Sequence, residues 1–134
     1  MLRTYDLNTE RNGLYDITEQ VKQTIEASGV EEGLAVVFIP HTTAGVTIYS
    51  WPDPLGFEDV DEEVSRLVPT RINFKHQHDT PQDAAGHVKS SLIGVSLTVI
   101  ISDGKLLVGH SQNVYFFEFD GPRQRKFHVK VVAG

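Results

Sequence analysis

Apolar and polar residues alternate along much of this chain, a pattern typical of strands that lie with one face on a core. The alternation is clearest in residues 96–125, where two β-branched apolar runs flank the turn Ser102-Asp103-Gly104-Lys105. Asp-Gly between two such runs is a strong hairpin signal. A third apolar run follows the polar break at residues 109–113 and stops at Asp120-Gly121-Pro122. The pattern predicts an antiparallel meander with polar side chains at its ends, where binding sites commonly form.

Two segments have apolar residues at helical spacing. The first has Asp16 or Thr18 as its cap and ends at Ser28-Gly29, because Asp and Thr favour helix N-termini and Gly follows many C-termini. The second runs from Phe57 to Val68 and ends before Pro69. Five carboxylates lie within residues 58–63. We interpret them as a solvated helix face, and the alternative is an acidic metal site.

The remaining pattern predicts further strands and one long loop. Residues 4–7 form a predicted edge strand, residues 46–49 and 126–132 are also predicted strands, and the apolar run 34–39 predicts a strand covered on both faces. Residues 73–86 are polar and predict a loop, with a turn of helix within residues 84–92. The chain is therefore predicted to be a single domain over residues 1–134. Its predicted class is α+β, a largely antiparallel sheet packed with two main helices.

Composition narrows the class of protein. The 134 residues are 40% hydrophobic and 22% charged, which is ordinary for a globular domain. A formal net charge of −6 argues against nucleic-acid binding, which depends on neutralising phosphates. No apolar run has the length of a membrane span, and the N-terminus lacks the zones of a signal peptide. The absence of cysteine excludes thiolate chemistry, and we expect a cytoplasmic protein with neither membrane nor nucleic acid as a partner.

Histidines carry most of the candidate chemistry, although no spacing among the six matches a metal motif such as H-E-x-x-H. His41 follows a predicted strand, and His76 and His87 lie in polar segments. His78 would share a face with His76 in an extended segment, and we interpret it as a neighbour of the site. His128 is predicted to be structural. Taken singly, each histidine is more often a surface or hydrogen-bonded structural residue than a ligand.

Hydroxyl and guanidinium groups are candidates for binding phosphate. Thr42 and Thr43 follow a predicted strand, where they either hold a phosphate oxygen or satisfy backbone groups of a turn. Arg123 and Arg125 are separated by one residue, so in an extended chain their side chains share a face and grip one phosphate. The alternative for the two arginines is a solvated strand end. Lys89 is a weaker candidate for the same role.

The order of these motifs along the chain resembles the YjbQ family. Residues 96–114 fit the pattern S-x-x-V-x-I-x-x-G-x-x-x-x-G-x-x-Q-x-V. The other matching segments are His41-Thr42-Thr43-Ala44, Asp53-Pro54, Leu67-Val68-Pro69, His87-Val88-Lys89-Ser90-Ser91 and Asp120-Gly121-Pro122-Arg123. These segments span nearly the whole chain, and the chain is identified as a member of that family, which is usually described as secondary thiamine-phosphate synthase.

The resemblance implies a site with a divalent metal. Histidines that recur in the family fall on His41, His76 and His87, and three imidazoles with a fourth position left open suit an ion such as zinc. Asp83 lies where the family has a recurring carboxylate, which would orient an imidazole. The predicted metal ligands are therefore His41, His76 and His87, which together with Asp83 are the predicted catalytic residues. The predicted substrate-binding residues are Thr42, Thr43, Gln112, Arg123 and Arg125.

The implied reaction joins an aminopyrimidine methyl diphosphate to a thiazole phosphate, releasing pyrophosphate and forming thiamine phosphate. Two departures from the family pattern favour an alternative, a hydrolytic or non-catalytic module that binds metal and a phosphorylated small molecule. A tryptophan of the family is Ser111 here, next to His110, and a carboxylate of the family is Ser50. Because family members resemble trimers, the resemblance also implies a homotrimer.

Overall fold

The computed structural model describes residues 1–134 and confirms the predicted α+β class. Eight strands and three helices follow one another along the chain. They are β1 (Leu2–Thr9), β2 (Gly13–Asp16), α1 (Thr18–Ser28), β3 (Gly33–Phe38), β4 (Ala44–Tyr49), α2 (Pro54–Leu67), α3 (Pro81–Ile93), β5 (Ser96–Ser102), β6 (Lys105–Leu107), β7 (Asn113–Glu118) and β8 (Arg123–Ala133). No helix combines the length and the apolar character that a membrane span requires.

The strands form two antiparallel sheets, with the orders β1-β8-β3-β5-β6 and β2-β7-β4. β1 lies at an edge, as predicted, and β5 and β6 form the predicted hairpin around Asp103-Gly104. The prediction that the third run continues the meander is wrong, because this run forms β7, which pairs with β2 and β4 and not with β6. Every residue from Val114 to Glu118 is buried, so β7 requires cover on both faces. It finds that cover as the central strand of the second sheet.

β7 separates two apolar clusters. Val114 and Phe116 join the main core, which lies between the two sheets and α1. Tyr115 and Phe117 face the other way and form a smaller cluster with Leu14 and Phe119. Three half-buried residues of α2 pack on this smaller cluster, namely Phe57, Val60 and Val64. The acidic residues of α2 from Glu58 to Glu63 are exposed or half-buried, and they do not converge on a possible metal site, which fits the predicted solvated helix face.

Capping residues set the helix boundaries. The N-cap of α1 is Ile17, so the predicted cap at Asp16 or Thr18 is wrong, although Asp16 accepts a hydrogen bond from the Thr18 N–H at 3.0 Å. The C-cap of α1 is Gly29, as predicted, with a left-handed φ of 68°. α2 begins three residues before its predicted start, because Asp53 accepts a hydrogen bond from the Leu55 N–H and Pro54 occupies the first turn. Both helices end close to their predicted C-termini.

The structure adds a third helix, α3, to the two predicted main helices, because residues from Pro81 onward are helical where a loop and a turn of helix were predicted. Thr80 caps this helix, its hydroxyl accepting a hydrogen bond from the Asp83 N–H at 3.1 Å, and Pro81 lies in the first turn. Both features favour a helix start, so the irregular segment ends at Thr80. α3 matters for the site because residues four apart, such as Asp83 and His87, lie on one face of a helix.

One face of the five-stranded sheet is not covered by the chain. In β3, Ala35 and Val37 are buried, whereas Leu34 and Phe38 are 44% and 43% exposed. The prediction that both faces of this strand are covered is therefore wrong within the single chain. Leu34 lies in register with Ile100 on one side and Val132 on the other, and both are exposed. We call the exposed apolar residues on this side of the sheet the outer face, namely Leu2, Leu34, Phe38, Ile100, Leu107 and Val132.

Candidate functional site

A cleft of about 380 Å³ lies where the loop after β3, the loop before α3, α3 itself and the start of β8 meet. Its lining contains no hydrophobic side chain except a proline. The lining residues are Pro40, His41, Thr42, Thr43, Asp79, Asp83, His87, Arg123 and Arg125. We call it the polar cleft, and seven of the nine residues predicted to form the site line it. Of the other two, His76 contacts the lining residue Asp83.

Asp83 joins two histidines at this cleft. One carboxylate oxygen, Oδ2, lies 3.2 Å from His76 Nε2 and 3.1 Å from His87 Nε2. Asp83 and His87 are four residues apart on α3, while His76 comes from the preceding loop, and its ring centroid lies 5.0 Å from that of His87. The Asp83 side chain is only 7% exposed. We call these three residues the His-Asp-His cluster.

The His-Asp-His cluster fits a divalent ion of the zinc type. Its three candidate ligand atoms all lie within 4.8 Å of one another. Tetrahedral zinc, with ligands at about 2.0–2.1 Å, requires ligand atoms roughly 3.3 Å apart, a spacing that small rotations of these side chains would reach. Two imidazole nitrogens with one carboxylate oxygen form a donor set that zinc uses, and a fourth position stays open for water or substrate.

His41 lies in the polar cleft but outside the His-Asp-His cluster. Its Nε2 lies 3.0 Å from the backbone N and 3.1 Å from the backbone O of Lys126 in β8. Burial, and next the charge of Arg125, lower the pKa of His41 below its ordinary value, so the neutral imidazole is favoured. The structure therefore groups a carboxylate with two histidines, and His41 as a third ligand stays a prediction.

Arg125 is held in a buried network. Its Nε donates to Glu118 Oε1 at 2.7 Å, and its Nη2 donates to Glu118 Oε2 and, at 2.8 Å, to the Thr43 hydroxyl. Burial acts to raise the pKa of Glu118, but hydrogen bonds from Arg125, Thr9 and the Asp120 N–H outweigh it and lower that pKa. Nη1 of Arg125 makes no hydrogen bond within the chain. Because every buried side-chain nitrogen in the structure does have a partner, Nη1 is not fully buried. Nη1 is thus accessible in a residue that lines the cleft.

Arg123 is anchored to a second carboxylate. Its Nη2 donates to Asp120 Oδ2 at 2.7 Å, and Gln82 donates to the other oxygen of Asp120 at 2.9 Å. Asp120 in turn raises the pKa of Arg123. Arg123 Nη2 also lies 4.0 Å from Asp83 Oδ1. The two arginines line one cleft, as the sequence predicts, but each is already paired with a carboxylate.

The loop after β3 offers further hydrogen-bond donors. Thr43 Oγ1 is engaged by Arg125, whereas Thr42 is exposed and its hydroxyl makes no hydrogen bond within the chain. The backbone N–H groups of His41, Thr42 and Thr43 also have no acceptor within the chain. Successive free N–H groups are typical of anion-binding concavities. Gly86 lets α3 approach this loop closely, because a Cβ there would lie 3.2 Å from the Thr43 Cβ.

Gln112 lies at the opposite end of the three-stranded sheet. Ala44 pairs with Glu118 beside the cleft, and Tyr49 pairs with Asn113 at the far end, roughly 16 Å away along the strand. Gln112 accepts a hydrogen bond from the Gly109 N–H at 2.8 Å and closes a turn. Its predicted role in substrate binding is not supported by this position within the single chain. The departures at Ser50 and Ser111 lie at the same remote end.

Three other candidate residues have local contacts of their own. His78 meets the His76 ring at a centroid distance of 5.2 Å but is outside the cluster, as predicted. His128 pairs with the Thr4 hydroxyl at 2.8 Å across two strands, which fits the predicted structural role. Lys89 is buried and donates to the Ser65 hydroxyl at 3.1 Å, away from the polar cleft.

Sequence reasoning missed Glu118, Asp120 and Gln82, the residues that fix the two arginines. Glu118 carried a signal, because it is a lone carboxylate inside the apolar run from Val114 to Phe119. A charge buried in such a run requires a charged and hydrogen-bonded partner. The sequence does not show which cation that is, since Arg125 meets it only through the pairing of the strands.

Comparisons with known proteins agree on the family. A family model described as UPF0047 protein YjbQ-like matches residues 3–134. A UPF0047 protein of Methanocaldococcus jannaschii is 44% identical, over 99% of this chain and 95% of the relative. The UPF0047 protein YugU of Bacillus subtilis is 37% identical, over 99% of this chain and all of the relative.

Solved structures agree as well. An uncharacterised YjbQ/UPF0047 family protein of Clostridium acetobutylicum has a TM-score of 0.91 and 42% identity, covering 97% of this chain and 99% of its own. A protein of unknown function from Sulfolobus solfataricus, described as YbjQ-like, has a TM-score of 0.94 and 27% identity, covering 100% of this chain and 97% of its own. The chain therefore belongs to the YjbQ-like UPF0047 family.

Proposed function

We propose that this chain is a metal-dependent enzyme that acts on a phosphorylated small molecule bound in the polar cleft. The observation that carries the proposal is the convergence of His76 and His87 on one buried oxygen of Asp83, beside two arginines. A buried carboxylate shared by two imidazoles is a ready ligand set, and arginine is the side chain best suited to phosphate.

Charge supports a role for the metal in holding the phosphate. Arg123 and Arg125 are paired with Asp120 and Glu118, and Asp79 and Asp83 add two further carboxylates, so carboxylates outnumber arginines around the cleft. Without a cation the cleft therefore repels anions. A divalent ion supplies Lewis-acid polarisation of a phosphate oxygen. Around it, the arginine Nη1 atoms and the free N–H groups of residues 41–43 would donate to the remaining phosphate oxygens.

The first reaction to test is the transfer that the family resemblance implies, in which a diphosphate leaves as pyrophosphate and thiamine phosphate is formed. Its support here is the polar cleft, whose lining suits a diphosphate. The second candidate is hydrolysis of a phosphate ester. It is supported by His41, because a neutral imidazole beside the phosphate site is able to accept a proton from water.

Metal and activity measurements test the proposal together. Metal-stripped protein is titrated with Zn²⁺ and Mg²⁺, comparing wild type with His76→Ala, His87→Ala and the control His78→Ala. We expect about one ion per chain in wild type and in the control, with loss in both ligand variants. Pyrophosphate release from the two thiamine precursors reports transfer, and phosphate release from an aryl phosphate reports hydrolysis. A wild-type protein that binds no divalent ion would contradict the proposal.

We also propose that the protein is a homotrimer acting in the cytoplasm. The outer face supports the assembly, because it leaves a row of large apolar side chains in water on a sheet whose other face is packed. Exposed apolar patches of this kind commonly mark contacts between subunits. The cytoplasmic location rests only on composition.

A further inference from the structure

A second cleft adjoins the polar cleft on the other side of His41 and His87. It has a volume of about 560 Å³, and it shares Pro40, His41, Thr42 and His87 with the polar cleft. Its remaining lining residues are Phe38, Ile39, Ser90, Ser91, Gly94 and Val95. We call it the neighbouring cleft. The two histidines thus stand at the boundary between two connected spaces.

The chemistry of the two spaces differs sharply. Apart from the shared histidines, the neighbouring cleft contains no ionisable side chain, whereas the polar cleft contains two aspartates and two arginines. Phe38 and Val95 give the neighbouring cleft apolar surface, and the Phe38 ring is 43% exposed. Ser91, which donates to the His87 carbonyl oxygen at 3.1 Å, adds a hydroxyl at its edge. Such a lining favours an uncharged, flat organic group over a second phosphate.

We propose that the neighbouring cleft binds the uncharged organic part of an ester whose phosphate occupies the polar cleft. This inference rests on the proposed function and adds the class of substrate to it. The scissile bond then lies between His41 and His87, at the boundary that both clefts share. Phe38 and Ser91 are the residues that set specificity for the organic part, and neither touches the phosphate.

A pair of matched anions tests the inference. Phenylphosphonate and methylphosphonate carry the same headgroup and are not hydrolysed as esters, so they differ only in the organic part. Both are titrated by calorimetry into zinc-loaded protein. Because the phenyl ring would leave water for an apolar surface, we expect wild type to bind phenylphosphonate about tenfold more tightly than methylphosphonate.

Variants assign that preference to the neighbouring cleft. Ser91→Trp fills the space and should remove the preference for phenylphosphonate, while leaving the affinities for Zn²⁺ and methylphosphonate unchanged. Leu92→Trp is the matched control, because Leu92 is the next residue of α3 and is exposed outside the cleft. Phe38→Ala provides a second test that does not enlarge a side chain. It should weaken phenylphosphonate binding and leave the affinities for Zn²⁺ and methylphosphonate unchanged.

The outcomes separate the inference from the proposed function. Equal affinities for the two phosphonates, with binding that depends on zinc, overturn the inference and leave the proposed function intact. A preference that survives both Ser91→Trp and Phe38→Ala also overturns it, because the ring then binds elsewhere. A wild-type protein that binds neither zinc nor the phosphonates overturns the proposed function, and the inference is overturned with it.

Discussion

Asp83 is the residue on which the candidate site depends. Its backbone N–H joins the cap of α3, and its side chain is the common partner of two histidines from different segments. The fold therefore holds this carboxylate in place before any ion binds. A ligand that is already ordered loses little conformational entropy on binding, which favours affinity.

Asp83→Asn should lower the affinity for Zn²⁺ by about 100-fold or more, because a neutral amide replaces an anionic ligand. The backbone cap is retained, so the melting temperature in chelator should change by only a few degrees. Calorimetric titration with Zn²⁺ measures the first effect and thermal unfolding measures the second. Asp79→Asn is the control, since Asp79 lines the cleft outside the cluster. Equal loss of zinc in both variants would show that overall cleft charge, and not ligation, determines affinity.

His41 should make stability depend on pH. Its pKa in the folded protein is lowered from the ordinary 6.5, so the unfolded chain binds more protons and stability falls as pH drops below that value. In chelator, the melting temperature of wild type should fall between about pH 7.5 and about pH 5.5, above the ordinary titration range of carboxylates. His41→Gln should flatten this slope. The control His110→Gln changes an exposed residue far from the cleft and should keep it.

At the residue scale, the sequence indicated which side chains lie together but not which partners hold them. Seven predicted residues line one cleft, and motifs at the ends of predicted elements were the signal; they are His41, Thr42, Thr43, Asp83, His87, Arg123 and Arg125. Their pairing was not predictable, because Arg125 meets Glu118 and Thr43 only across strands that are far apart along the chain. The distance of Gln112 from the cleft was not predictable for the same reason, since local sequence does not show which end of a strand faces the cleft.

At the scale of elements, β7 and β8 are tied together by the ion pair between Glu118 and Arg125. Glu118 also accepts a hydrogen bond from Thr9 of β1 at 2.7 Å, and Arg125 reaches the loop before β4. The network thereby links both sheets beneath the polar cleft. A buried pair of this kind costs desolvation, so its role is to position the loop and the arginine more than to add net stability.

Glu118→Gln should destabilise the fold by about 3 kcal/mol, because it leaves the Arg125 charge buried without a counter-charge. The double variant Glu118→Gln/Arg125→Met should recover part of that loss, since neither charge remains. Urea denaturation measures both. Glu63→Gln is the control, because Glu63 forms an exposed pair with Arg66 and should have little effect on stability. A double variant less stable than Glu118→Gln would show that the pair is not the source of the effect.

Local signals predicted most elements, and long-range pairing decided the errors. The Asp-Gly hairpin, the Gly29 terminus of α1 and the edge position of β1 were confirmed, because each depends on a few adjacent residues or on polarity. The sheet to which β7 belongs depends on partners at residues 13–16 and 44–49, which no local pattern specifies. α3 was missed in part because Pro81 was taken as a loop residue, although proline is also favoured in a first helical turn.

At the scale of the whole molecule, the outer face is the feature that the single chain leaves unexplained. Leu34, Ile100 and Val132 lie side by side on three neighbouring strands. The other face of the same sheet is packed in the main core. The β3 sequence predicted cover on both faces, and a second copy of the chain would supply the missing cover. Phe38 belongs to the outer face and also lines the neighbouring cleft, so assembly and substrate binding would meet at one residue.

A charge placed on this face should disrupt the proposed trimer. Ile100→Lys introduces an ammonium group into the apolar row. Its desolvation on burial against another subunit would cost more free energy than the contact contributes. Light scattering coupled to size exclusion should show a trimer for wild type and a smaller species for the variant. Ile72→Lys is the matched control, because Ile72 is 87% exposed but lies in the loop before α3, away from the outer face.

The same variant tests whether assembly supports the site. Ile100 touches neither cleft, so zinc affinity of Ile100→Lys should match wild type, because the His-Asp-His cluster comes from one chain. The preference for phenylphosphonate should fall if a neighbouring copy closes the space beside Phe38, and it should persist if the chain forms that space alone. A wild-type protein that runs as a monomer would remove the trimer, and the exposed row would then need another partner.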